Sequence, residues 1–271
     1  MKLSTFAGVA VTLAAWAGLP VIAAAKPETS LPGDGAGQAE QPRWVVQISP
    51  YGWMTGLHGD VSPFRRAPAI AVDKSFGDVL EELKIGGFVN IWARYERIVF
   101  SVDAMYVDSE DARSIGALPG IGRTPGLGAS IDTTMASATF QAGYRIYDSP
   151  ATTVDLLAGI RWWQLSNTAT ARYGAFSVAY KEKFGWVDPL VGVRAFHSLS
   201  DQLSLMAQLD IGGFNAGSRL TWQALATVNY AFTDSISASL GYKFLAVDYE
   251  ADGHVFDTRL SGPVIGMTYR F

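Results

Sequence analysis

The longest regular feature of the chain is a two-residue alternation of apolar and polar positions. In 220–232, Leu220, Trp222, Ala224, Ala226, Val228, Tyr230 and Phe232 fall on one face, with Thr221, Gln223, Thr227 and Asn229 on the other. Successive side chains point to opposite faces in a strand, so this period predicts β-structure. After a tight turn at Thr233-Asp234-Ser235 the pattern resumes, with Ile236, Ala238, Leu240, Tyr242, Phe244 and Ala246 set against Ser237, Ser239, Gly241 and Lys243. The same test along the chain predicts ten strands, at 45–56, 84–96, 98–108, 131–147, 152–170, 187–199, 202–214, 220–232, 235–247 and 258–271. Many exceed the five or six residues usual in soluble sheets and match the nine to eleven or more that a tilted strand needs to cross a bilayer.

The links between these strands alternate in length. Short turns at 96–97, 148–150, 200–201 and 233–234 interleave with longer links at 57–83, 109–130, 171–186, 215–219 and 248–257. Transmembrane barrels have short periplasmic turns and longer external loops. The last strand ends on Phe271, preceded at every second position by Tyr269, Met267 and Ile265, a pattern resembling the terminal signature that outer-membrane barrels present to their assembly machinery. A soluble β-sandwich also alternates; strand length, loop parity and the terminal aromatic together favour the barrel. The expected class is an all-β, transmembrane, antiparallel up-and-down barrel of about ten strands, with eight or twelve if a weaker segment merges or splits.

The N-terminus adds an export route. Lys2, an apolar run from Phe6 to Ala17 and the small residues Ala23, Ala24 and Ala25 form a secretory signal peptide over 1–25, too short and too broken by Gly18-Leu19-Pro20 for a spanning helix. Residues 26–43, rich in proline and glycine, read as a flexible periplasmic lead-in to a barrel over 44–271. Loss of Lys2 would take the formal charge from -4 to -5, and the 21 basic residues are scattered, which argues against nucleic acid as a partner. There is no cysteine, hence no disulfide and no thiolate metal site.

In a bilayer the apolar face must point outward, which sends the polar face into the lumen. Arg94, Glu96, Asp103, Arg145, Asp155, Arg161, Arg194, Asp210, Lys243 and Arg270 are the predicted lumen charges, and their mixed signs suggest a paired, filled interior rather than a selective pore. Trp44, Trp53, Trp92, Trp162, Trp163, Trp186 and Trp222, with Tyr51, Tyr95, Tyr144, Tyr147 and Tyr230, suit interfacial belts or lumen filling. The three histidines carry little chemistry. His197, in Phe196-His197-Ser198, falls at the periplasmic rim; His58 with Asp60, and His254 with Asp252 and Asp257, fall in external links, where a metal site or an Asp-His hydrolytic pair is weighed and solvated side chains preferred. No catalytic, metal or cofactor-binding residue is assigned. External acids, among them Asp73, Asp78, Glu81, Glu82, Asp108, Glu110, Asp111, Asp248, Glu250 and Asp252, read by default as a solvated acidic rim, with divalent cations bridging lipopolysaccharide phosphates as the alternative. Gly116, Gly120, Gly122, Gly126 and Gly128 suggest a mobile loop tip, and Ser75 before Asp78-Val79-Leu80-Glu81-Glu82-Leu83 a short capped helical turn.

Ile48-Ser49-Pro50-Tyr51-Gly52-Trp53-Met54-Thr55-Gly56-Leu57-His58-Gly59-Asp60-Val61, Ser75-Phe76-Gly77-Asp78-Val79-Leu80-Glu81-Glu82-Leu83, Asp103-Ala104-Met105-Tyr106-Val107-Asp108 and Gly262-Pro263-Val264-Ile265-Gly266 before the terminal Phe271 resemble a family of uncharacterised proteobacterial outer-membrane β-barrel proteins. The resemblance implies an envelope barrel and assigns no activity. Within it, Pro50 and Gly52 on the outward face, then Gly56 and Gly59, look like devices that bend the first strand into its loop. The expected role is structural, a monomer in the cell outer membrane with a charge-filled lumen, touching lipopolysaccharide or surface partners through its loops and inserted by the barrel-assembly machinery. A narrow solute channel and a barrel hydrolase are the alternatives.

Overall fold

The computed structural model describes residues 44–65, 67–114, 127–173 and 175–271, with side chains omitted at 112–114 and 127. The expected signal peptide and lead-in, and most of the segment read as a glycine-rich loop tip, lie outside the described residues.

The chain enters at β1 (Trp44–Trp53), continues after a two-residue break as β2 (Gly56–Ser62), and passes through β3 (Ile70–Lys74) and α1 (Phe76–Glu82). Nine long strands follow: β4 (Leu83–Tyr95), β5 (Ile98–Ser114), β6 (Leu127–Asp148), β7 (Thr152–Tyr173), β8 (Phe176–Ser198), β9 (Leu203–Gly213), β10 (Leu220–Ala231), β11 (Ile236–Ala251) and β12 (His254–Arg270). Each pairs antiparallel with its neighbour, and β12 pairs back onto both β1 and β2. Counting β1 and β2 as one interrupted strand, the result is a closed ten-stranded antiparallel barrel.

Closure leaves no edge among the ten barrel strands, the condition for backbone in lipid, and β3, paired with β2 alone, ends the sheet beyond them. Outward positions form an apolar band: Phe100, Phe140, Leu156, Ile160, Val191, Leu209, Val228, Leu240 and Ile265 are all exposed. Near the short-turn end, Trp44 packs on Tyr95 and Phe100, Tyr230 on Phe232, and Tyr269 on Phe271. At the other border Trp222 stacks on Phe244. These pairs are the two interfacial girdles of a bilayer-spanning barrel.

Two expectations about the external side change. Of the links at 109–130, 171–186 and 248–257, the described residues are largely strand: β5, β6, β7, β8, β11 and β12 all run past the predicted ends. Gly128 thus belongs to β6, not to a loop tip. A strand of 22 residues such as β7 spans roughly 75 Å along its length, about twice what a tilted crossing of a ~25 Å apolar band requires. Polar side chains on the outward face above the band, such as Asp108, Glu110, Asp132, Lys181 and Lys183, hid the continuation, because an exposed extension needs no apolar alternation.

Nor does the first strand bend into its loop at Gly56. It breaks at Met54-Thr55 and resumes as β2, which stays on β12 (Leu57 opposite Leu260, Val61 opposite Phe256) while exchanging its other partner from β4 to β3. Gly59 permits this approach. Its φ is +137°, and a Cβ there would lie 2.0 Å from the Asp257 carbonyl oxygen. Pro50, which has no N–H to donate, sits between the ladder pairs Ile48–Tyr269 and Tyr51–Gly266. The capped turn forms as expected: Ser75 caps α1, its hydroxyl accepting from the Asp78 N–H while the Asp78 carboxylate accepts from the Ser75 N–H.

Candidate functional site

The lumen is the candidate site, and its side chains fall into three layers. Near the short-turn end, β4, β6, β7 and β8 direct Trp92, Arg94, Arg145, Asp155 and Arg194 inward into a cavity of about 580 Å³. Its mouth is framed by residues of the turns, including Ser200, Asp201, Thr233 and Asp234. Arg145 Nε donates to Asp155 Oδ1 at 2.8 Å. The guanidinium of Arg194 lies over Trp92 at 5.4 Å and that of Arg145 over the same ring at 5.9 Å.

Midway up, two ion pairs cross the lumen. Lys243 on β11 donates to Asp103 Oδ1 on β5 at 2.9 Å and to the Tyr51 hydroxyl on β1 at 2.8 Å, while that hydroxyl donates to the same carboxylate. Arg161 on β7 donates to Asp210 Oδ1 on β9 at 2.8 Å, to Thr139 Oγ1 at 2.9 Å and to Thr221 Oγ1 at 3.1 Å. All of a guanidinium's nitrogens are thus engaged, the requirement for holding such a charge away from water. Asp188 completes the layer without a cation: it accepts from Trp186 Nε1 at 2.9 Å and from the Ser218 N–H at 2.6 Å.

The external half is aromatic. Trp163 stacks on Trp186 at 5.6 Å, Trp186 on Tyr249 at 3.9 Å, Tyr249 on Phe184 at 6.1 Å, and Phe184 on His254 at 4.2 Å, with Phe256 wedged against both tryptophans. Leu165, Leu245, Val247 and Leu260 pack around the stack. These residues have lumen parity on β7, β8, β11 and β12, so the inner face of a membrane barrel is here as apolar as a soluble core.

Of the ten predicted lumen charges, Asp103, Arg145, Asp155, Arg161, Asp210 and Lys243 form ion pairs inside the barrel, and Arg94 and Arg194 line the inner cavity. Arg270 is exposed at the cavity mouth, its guanidinium facing the Gln47 side-chain carbonyl. Glu96 does not enter the lumen. It occupies the two-residue turn between β4 and β5 with φ of +52°, exposed, and its carbonyl accepts from Arg94. The alternation that places Arg94 inward ends one residue before Glu96, at the strand terminus. Asp188 was missed, although its period-two spacing from Trp186 and Arg194 places it on the same face. The aromatic plug was missed because Phe184 and Phe256 fell in segments read as loops.

The histidines do not converge. His58 faces outward and bonds Asp73 at 2.6 Å, whereas His254 is buried in the plug with Nε2 3.4 Å from Glu182 Oε1. His197 Nδ1 meets Thr152 Oγ1 at 2.7 Å at the periplasmic rim. Several acids of the supposed solvated rim are paired: Glu82 with Lys74, Glu110 with Lys84 and Asp248 with Arg219.

No protein-family model matches the chain, and no curated protein matches it. Among solved structures, it is similar to the outer membrane protease OmpT from Escherichia coli, at 11% identity and a TM-score of 0.53, covering 85% of this chain and 97% of that one. Its fold is that of an outer-membrane β-barrel. Weaker likenesses include the translocator domain of the autotransporter NalP from Neisseria meningitidis (11% identity, TM-score 0.40, 86% and 90% covered) and Ail of Yersinia pestis (11%, 0.30, 85% and 100%).

Proposed function

We propose that the protein is a structural barrel of the outer membrane whose lumen is shut by its own side chains and whose tall external strands meet lipopolysaccharide or surface partners. The observation that carries this reading is the continuous stack from Trp163 through Trp186, Tyr249 and Phe184 to His254, laid across the lumen above two buried ion pairs. A pore needs a wetted path; close-packed rings exclude one. The outward face supports the lipopolysaccharide contact: Lys181 and Lys183 on β8 and Arg172 on β7 are exposed above the apolar band that reaches Val187. The buried His254, stacked under Phe184, has no access to a substrate bond, which weighs against a hydrolase.

In a planar bilayer the purified protein is expected to give no stable, sizeable conductance. The double variant Trp163→Ala, Trp186→Ala is expected to conduct. A steady conductance from the unaltered protein would overturn the sealed-barrel reading.

A further inference from the structure

The inner part of the cavity gathers three arginines around one carboxylate, Asp155, while Asp201 and Asp234 stand at its mouth. Arg94, Arg145 and Arg194 all line it, from three different strands. Asp155 is engaged by Arg145 at 2.8 Å, and Asp103 by Lys243 and Tyr51. Arg145 reaches one further acid, Asp148, at 3.7 Å on the exposed rim. Among the described residues, Arg194 Nη1 and Arg94 Nε are buried N–H groups with no protein acceptor, and so is Nε1 of Trp92, the ring that Arg145 and Arg194 overlie. Three orphaned donors around one cavity are costly, because a buried polar group without a partner has given up its hydration for nothing in exchange, and a charged one the more so. An acceptor bound in the cavity would relieve that cost.

The chemistry defines that acceptor. Guanidinium N–H groups in a planar fork match the paired oxygens of phosphate or carboxylate. Trp92 holds two of the forks by cation–π contact, at 5.4 and 5.9 Å, so they are oriented in advance. The cavity's volume lies within the range typical of small-molecule sites, and its mouth, framed by the short turns, opens on the periplasmic side. Its other walls carry hydroxyl and amide groups, among them Ser49, Asn90, Ser204 and Thr227, suited to the uncharged part of a polar solute. We propose that this vestibule is a binding site for a small oxyanion, a phosphate or carboxylate, taken up from the periplasm by Arg94 and Arg194 beside Trp92. The site stands independently of the sealed lumen above it, since the cavity ends at the Lys243–Asp103–Tyr51 layer.

The test is isothermal titration calorimetry of the full folded chain in detergent micelles, with inorganic phosphate and with citrate as separate titrants at constant ionic strength. Saturable binding of at least one of them, at one site per chain, is expected; the tighter titrant tells a phosphate from a carboxylate ligand. Arg194→Gln and, separately, Arg94→Gln are expected to weaken it tenfold or more, and Arg219→Gln at the external rim to leave it unchanged. Heat-modifiable electrophoretic mobility establishes that each variant is folded, and either arginine variant suffices if the other fails to fold. No saturable heat with either anion, or full affinity retained in a folded arginine variant, would overturn the proposal. Conductance is read separately, so failure of one reading does not imply failure of the other.

Discussion

Arg161 is 1% exposed and sits inside a membrane-spanning barrel, where an unpaired charge would be untenable. It persists because Asp210, Thr139 and Thr221 take its hydrogens, and Gln223 adds a bond to the second oxygen of Asp210 at 3.4 Å. The pair itself adds little net stability over an apolar filling, but removing one partner strands the other. Asp210→Ala is therefore expected to destabilise the barrel by about 3–5 kcal/mol in urea unfolding from lipid vesicles. Arg161→Met with Asp210→Leu should recover most of that loss. At this scale the sequence was informative: period two put Arg161, Asp210, Lys243 and Asp103 on the inner face. It could not say which cation meets which anion, because Arg161 and Asp210 are 49 residues apart and meet only through the curvature of the closed sheet.

Among elements, α1 shows how a local signal succeeds where a global one is absent. Ser75 and Asp78 bond each other's backbone, and no residue of the helix is buried, so the capping box rather than packing specifies it. The hydrogen bonds from Ser75, first its side chain and then its backbone, hold the Asp78 carboxyl below its ordinary value of 3.8. A depressed carboxylate contributes stability that is complete above the ordinary value and lost as pH falls through the lowered one. By carbon-detected NMR, Asp78 should titrate below an ordinary aspartate, and Ser75→Ala should raise its midpoint while loosening α1 at neutral pH. The strand extensions show the reverse case. Above the apolar band both faces of β5 and β6 are mixed, so hydropathy stops marking the strand, while hydrogen bonding to neighbours carries it on through Ser114 opposite Gly128.

For the molecule as a whole, closure is the decisive event, and it depends on how β12 meets the interrupted strand β1–β2. Gly59 marks one tight point of that seam, with Asp257 and Thr258 of β12 where a side chain would go. Gly59→Val is expected to impair closure, read as loss of heat-modifiable mobility and of protease resistance, whereas Gly87→Val, where a Cβ meets nothing within 4 Å, should be tolerated. A seam that fails to close leaves two unpaired edges, which lipid does not tolerate.

The sequence by itself determined that the chain forms a barrel of about ten strands, which face of each meets lipid, and that most of the charges on the strands turn inward. These follow from a period of two, from loop parity and from the bilayer's intolerance of unpaired backbone, all of which are local or universal constraints. Only the tertiary structure decided how the interior is divided. Trp163, Trp186, Tyr249 and Phe184 become a plug, and Arg94, Arg145 and Arg194 become one cationic vestibule, only when distant strands are brought around the same axis. Shear and register set those meetings, and they are properties of the closed sheet rather than of any strand.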